Sequence, residues 1–191
     1  MELIYAIVML LCSFIRDNAK EVIESLKEKG INRIVMLTGD NEKTAAHVAK
    51  TIGADEYISG ALPEDKARFI ADAKRHGHKV IMIGDGINDS PALSEADVGI
   101  AVVSGASIAK EISDITIEGE GIDELLILKD ISDSLMKRIE KDYKVIIGLN
   151  STLIILGVLG LLSPSTTALM HNVSTIGIGL GNTKMKFEVP K

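Results

Sequence analysis

The 191-residue chain holds a single cysteine, Cys12, so no internal disulfide framework can staple it and a reducing compartment suits it. It also lacks a basic excess: 21 Lys and Arg face 27 Asp and Glu, a net charge of −6. That balance argues against a general nucleic-acid binder, which needs cations to displace counterions from phosphates. Residues 3–15 carry no charge, yet thirteen residues are too few to cross a bilayer comfortably. A secretory leader does not fit them either. Glu2 stands where a basic region belongs, and no small-residue cleavage site follows. The run is expected to be a buried strand, or a start that does not belong to the fold. Length favours one domain, or one with an appendage.

What is present is organised around residues 80–91, Val-Ile-Met-Ile-Gly-Asp-Gly-Ile-Asn-Asp-Ser-Pro. Four apolar residues bounded by turn residues read as a strand buried on both faces. Gly84 and Gly86 let the backbone turn sharply after it. Asp85 and Asp89 then project from the strand's C-terminal edge with Asn88 between them. Open α/β sheets bind ligands at that edge, and Mg²⁺ prefers such oxygen donors. A Mg²⁺–phosphate site is the expectation.

From Asp17 the pattern turns helical, with Asp17 or Asn18 as cap, Ala19, Val22, Ile23 and Leu26 on one face, and Gly30 as stop. Strands are predicted over 33–37, 56–59, 80–83, 98–102 and 114–117. Helices are predicted over 42–52, 63–75 (opened by Pro63), 91–96 and 106–111. This alternation predicts a doubly wound, mostly parallel α/β sheet over 16–121.

Residues 122–144 read as a charged amphipathic connecting helix. Residues 145–162 and 166–183 are two uncharged runs of eighteen separated by Ser163-Pro164-Ser165, and 184–191 form a tail. Each run is near the minimum that spans hydrocarbon at about 1.5 Å per residue. Lys137, Arg138, Lys141 and Lys144 precede the first, and Lys184, Lys186 and Lys191 follow the second. The expectation is a transmembrane hairpin over 145–183, with the lipid bilayer as partner and the sheet domain cytoplasmic.

Three separated pieces point to one site. Thr38-Gly39-Asp40 ends a strand, with a hydroxyl and backbone N–H groups suited to a phosphate oxygen. Lys66 begins a helix and brings a cation, while Asp85 and Asp89 hold the metal. Phosphoryl transfer needs mainly positioning and charge neutralisation, which these groups supply. The segments TGDN (38–41), PEDK (63–66), GDGINDSPAL (84–93) and ADVGIA (96–101) resemble the phosphorylation domain of heavy-metal-transporting P-type ATPases, built on the haloacid dehalogenase fold. The resemblance, which also takes in the helical hairpin, runs from Arg16 to Phe187. It implies Mg²⁺ at Asp85 supported by Asp89 and Asn88, phosphate contacts from Thr38 and Lys66, and a structural or nucleotide-side role for Asp40. It also implies ATP as the phosphoryl donor of a complete pump.

The family's DKTGT motif, which carries the phosphorylated aspartate, does not occur here, and only 37 residues precede Thr38, too few for a nucleotide-binding domain. The sequence thus reads as the C-terminal portion of a pump, inactive without its missing N-terminal part. Two alternatives are a non-catalytic membrane-anchored partner subunit and a membrane-tethered phosphatase of the same superfamily. The phosphatase needs an early Asp-x-Asp motif, and the early acids Glu2 and Asp17 are not so placed.

His171, Asn172, Ser174 and Thr175 form a second candidate site for a transported divalent transition metal, with His171, Ser174 and Thr175 sharing a face. Interhelical hydrogen bonding is the plainer reading of the same residues. Counting rise from the Ser163 turn puts Asn150 roughly 10 Å deeper than His171, as a packing or gating residue. His76 and His78 are expected to cap a helix end, and His47 to lie on the surface.

Overall fold

The structure is a computed structural model, and it describes residues 4–8, 18–84, 88–103, 109–118 and 123–183. Asp17, Asp85 and Gly86 lie outside the described residues. The chain divides into two compact units, Met1–Leu126 and Ile127–Lys191.

The first unit is a six-stranded sheet of β1 (Ile4–Val8), β2 (Arg33–Leu37), β3 (Glu56–Ile58), β4 (Lys79–Gly84), β5 (Val98–Val103) and β6 (Ile115–Glu118). The order is β3-β2-β1-β4-β5-β6, and every pairing is parallel. Between the strands run α1 (Ala19–Glu28), α2 (Glu42–Ile52), α3 (Pro63–Arg75), α4 (Ser90–Glu95) and α5 (Ala109–Ile112). The uncharged N-terminal run therefore supplies a strand of the sheet, and a central one. Ile4 to Val8 pair with Lys79 to Ile83, while Tyr5 and Ala6 pair with Arg33 and Ile34 on the other side.

The chain steps outward from β1 through β2 to β3, then returns to β4 and steps the opposite way. Right-handed crossovers place the helices of the two halves on opposite faces. One face shows this directly: Ile70 of α3 and Ala92 and Leu93 of α4 pack with Val35, Leu37, Val80 and Met82. Ile34 and Met36 alternate with Val35 and Leu37 and are fully buried, so β2 is covered on both sides. The reversal falls between β1 and β4, where open α/β sheets form a crevice at the C-terminal strand ends.

Local chemistry explains the element ends. α1 buries Ala19, Val22, Ile23 and Leu26, as its spacing predicts. Asn18 stands at its N-cap but makes no side-chain cap bond; its amide donates instead to both oxygens of Asp123 at 2.8 Å. α2 is capped by Asn41, whose side-chain oxygen accepts from the Thr44 N–H, and it ends on Gly53 in the left-handed region. Gly99 has no room for a side chain, because a Cβ would stand 2.6 Å from the Leu93 carbonyl oxygen. That close approach seats α4 on β5.

Asp55 joins β2 to α1. Its carboxylate accepts from the Ile34 N–H at 2.8 Å and from Lys27 Nζ at 2.6 Å. Burial alone would push this carboxyl up, but these hydrogen bonds, with the charges of Lys27 and Arg33, outweigh it and hold it below its ordinary value.

The second unit is a helical hairpin. α6 (Glu124–Val158) is one continuous 35-residue helix, and α7 (Pro164–Thr183) has 20 residues. The expectation of two membrane spans is not confirmed here: among the described residues, no helix is long and apolar enough to cross a membrane. The reason is local. α6 stops at Val158, so its uncharged part is residues 145–158, about 21 Å of rise, with Lys141, Asp142 and Lys144 directly before it. α7 is diluted by His171, Asn172, Asn182 and several serines and threonines.

The hairpin is tied at both ends. At the turn, Ser163 caps α7: its Oγ accepts from the Thr166 N–H, and its carbonyl accepts from Thr167 Oγ1. At the far end Arg138 donates to Asn182 Oδ1 at 2.7 Å and to the Gly181 carbonyl at 3.1 Å. Asn182 in turn donates to Asp142 at 2.9 Å.

Candidate phosphate and cation site at the sheet edge

The C-terminal ends of β2 and β4 deliver the site. After Leu37 the chain turns through Thr38, which is 4 % exposed although its neighbours Gly39 and Asp40 are more open. The Thr38 N–H donates to the Ile58 carbonyl at 3.0 Å, and the Thr38 carbonyl accepts from the Ala61 N–H at 2.9 Å. The Asp40 carbonyl accepts from the Gly60 N–H at 2.8 Å. The 38–40 turn is thus sewn to the loop that leads into α3. Thr38 Oγ1 donates to Asp40 Oδ2 at 2.7 Å and accepts from the Asp40 N–H at 3.1 Å. The hydroxyl expected to face a phosphate is engaged with Asp40, and the Thr38 N–H is spent within the fold.

That loop is braced from the side by residues the sequence reading did not single out. Glu42, first residue of α2, accepts from Tyr57 OH at 2.7 Å and from Ser59 Oγ at 2.6 Å. These bonds, Ser59 first, hold the Glu42 carboxyl below its ordinary value, and the same contact pushes the Tyr57 hydroxyl above its own.

Pro63 opens α3, and the Leu62 N–H donates to Asp65 Oδ2 at 3.2 Å across the first turn. This start directs Lys66 inward. Its side chain is 6 % exposed and its Nζ donates to Asp89 Oδ1 at 3.0 Å, Asp89 being wholly buried. Asp89 also lies against the end of β4: a Cβ on Gly84 would stand 2.8 Å from Asp89 Oδ2. The glycine there is a packing requirement as well as a turn residue. Two residues assigned separately to phosphate and metal are therefore one buried ion pair. Low dielectric strengthens their attraction, which offsets part of the cost of removing both charges from water.

Asp85 follows Gly84 directly and lies outside the described residues; Asn88 is exposed. Among the described residues no group of three or more His, Cys, Asp or Glu is arranged to hold a metal. His76 ends α3, with its Nδ1 2.7 Å from the Asp72 carbonyl, as a helix-end residue should.

The helical hairpin brings the second candidate set together differently from the expectation. His171 Nδ1 lies 2.8 Å from Asn150 Oδ1, so the two are level, not about 10 Å apart in depth. The physical reason is that residues 159–163 leave the helix. Asn150 is then eight residues from the end of α6 and His171 seven from the start of α7, about 12 and 10.5 Å of rise. Ser174 Oγ and Thr175 Oγ1 both donate to the His171 carbonyl, at 2.8 and 3.0 Å, so their protons are spent on their own helix. Asn172 is exposed. A cleft of about 580 Å³ opens between the helices, walled by Leu153, Ile154, Gly157 and Ala168, with polar groups from Asn150, Thr167 and His171.

Comparison with known proteins agrees with this architecture. The family profile of haloacid dehalogenase-like hydrolases matches residues 2–97, a stretch that includes β1. A manganese-exporting P-type ATPase of Mycobacterium leprae is 36 % identical over 172 residues, covering 90 % of this chain and 24 % of that protein. A copper-exporting P-type ATPase of Staphylococcus aureus is 41 % identical over 179 residues, covering 91 % of this chain and 22 % of that protein. A zinc-transporting PIB-type ATPase in its E2·Pi state superposes with a TM-score of 0.76 at 30 % identity, over 85 % of this chain and 26 % of that one. The chain thus spans about a quarter of the length of the relatives it matches. It belongs to the haloacid dehalogenase-like hydrolase family, and its relatives there are the heavy-metal-exporting P-type ATPases.

Proposed function

We propose that this chain serves as the C-terminal portion of an ATP-driven heavy-metal cation pump. Unit 1 is its cytoplasmic Mg²⁺–phosphate module, and unit 2 is a hairpin of its membrane part that carries an ion site. The observation that carries the reading is the buried Lys66–Asp89 pair against Gly84 at the end of β4, together with the Thr38–Asp40 turn at the end of β2. It puts a fixed cation and fixed carboxylates at the strand ends where phosphoryl groups are handled.

The oxygen donors here fit Mg²⁺. Asp85 would be the direct carboxylate ligand and Asn88 an accessory one. Asp89, already paired with Lys66, would orient the site from behind. Mg²⁺ when bound neutralises charge on a transferring phosphoryl group. Thr38, released from Asp40, would donate its hydroxyl to a phosphate oxygen, Gly39 leaves the backbone open for close approach, and Lys66 adds positive charge.

Exposed Ile154, Ile155, Val158, Leu169, Val173 and Ile176 support a place for the hairpin among lipid and other apolar helices, with its charged end at the interface. His171 offers an imidazole and Asn150 an amide oxygen, which suit a hard or borderline divalent ion better than Cu(I).

A second reading rests on β1. Its C-terminal end is where this fold places a nucleophilic aspartate, yet no residue from 3 to 15 is acidic. That favours a non-catalytic role for the chain by itself: binding Mg²⁺ and phosphate without accepting a phosphoryl group.

Calorimetric Mg²⁺ titration of the full chain in detergent checks the sheet-edge site. Asp85→Ala is expected to weaken Mg²⁺ by about tenfold or more, and Asn88→Ala by less, since hard cations depend on charged oxygens first. Unchanged affinity in Asp85→Ala would remove the proposed site.

A further inference from the structure

We infer that Asn150 is a positioning residue for His171: its Oδ1 accepts the imidazole Nδ1–H and so leaves the Nε2 lone pair as the ring's metal-binding atom. This rests on the proposed reading of unit 2 as an ion site. The two atoms stand 2.8 Å apart, a full hydrogen bond. In a neutral imidazole one nitrogen donates and the other accepts, and the partner of one nitrogen decides the state of both. Free histidine favours the proton on Nε2, so an oxygen fixed against Nδ1 inverts the resting preference.

The hydroxyls nearest in sequence do not compete for the ring, because Ser174 and Thr175 both donate to the His171 carbonyl. The remaining cleft wall is apolar apart from Thr167. Asn150 is also held in place by the scaffold. The hairpin is closed at the turn through Ser163 and at the far end through Arg138, Asp142 and Asn182. From Arg138 to Asn150 is twelve residues and from His171 to Asn182 eleven, about 18 and 16.5 Å of rise. The two polar rungs thus fall level across the antiparallel helices. Metal-bound histidines recurrently give their other N–H to an oxygen, which orients the ring and raises its basicity. Asn150 occupies that place.

The test uses the full chain in detergent, labelled with ¹⁵N at histidine and examined at alkaline pH, where all four imidazoles are neutral. His171→Gln identifies the His171 signals. The expected pattern is protonated Nδ1 and bare Nε2 for His171, reverting toward protonated Nε2 in Asn150→Ala and restored in Asn150→Asp, which keeps the acceptor. Zn²⁺ titration of the same samples is expected to show about 10- to 100-fold weaker binding in Asn150→Ala. Protonated Nε2 in the unaltered chain, or no change on Asn150→Ala, overturns the assignment whatever the metal does. Protonated Nδ1 with no Zn²⁺ binding in any variant supports the hydrogen-bond assignment and overturns the ion reading alone.

Discussion

Removing residues 1–8 is expected to abolish the cooperative unfolding of unit 1, a loss on the order of the whole stability of such a domain, about 5–15 kcal/mol. β1 is not an edge. It pairs with β4 along its full length and with β2 on its other side, so its removal divides the sheet into β3-β2 and β4-β5-β6. Two interior ladders would then offer unpaired N–H and C=O groups, which invite association with other chains. Thermal circular dichroism of the full and truncated chains, with amide exchange followed on β2 and β4, checks this. An unchanged midpoint and unchanged protection in β4 would mean that the N-terminal strand does not hold the sheet together.

Replacing Lys66 by methionine is expected to destabilise unit 1 by about 3–5 kcal/mol, because it leaves a wholly buried carboxylate without its cation. The double variant Lys66→Met with Asp89→Leu is expected to recover most of that loss, since an apolar pair of similar volume carries no desolvation cost. Exchange protection of β4 and α3 through a denaturant series reports both effects on the unit concerned. If the single and double variants lose the same stability, the pair is a packing element rather than a coupled charge pair. The comparison separates the stabilising role of Lys66 from its proposed service to phosphate.

The parts of the fold that were legible are those that short-range patterns determine. β2 keeps its predicted bounds and ends where its apolar run does, α1 buries the four residues on its predicted stripe, and Pro63 and Gly53 mark real helix ends. The place of β1 was not legible. An uncharged run without periodicity has no preferred face, and its partners Lys79–Gly84 and Arg33–Leu37 are distant in sequence. Pairings between separated residues were hidden for the same reason. Lys66 and Asp89 are 23 positions apart and Asn150 and His171 are 21, so residue types pointed to each site while nothing local announced the contacts. The end of α6 was not legible either, because an uncharged count from 145 to 162 includes residues that contribute no helical rise.

The most direct measurement is incubation of the purified full chain with Mg²⁺ and ATP carrying a radiolabelled terminal phosphate, across manganese, zinc and cobalt ions, followed by an acid quench. No acid-stable phosphoprotein and no metal-stimulated turnover are expected, because no carboxylate in residues 3–15 follows β1 to accept the phosphoryl group. A metal-stimulated, acid-stable label that disappears in Asp85→Ala would contradict this, and would make the chain a phosphoryl-transfer enzyme in its own right.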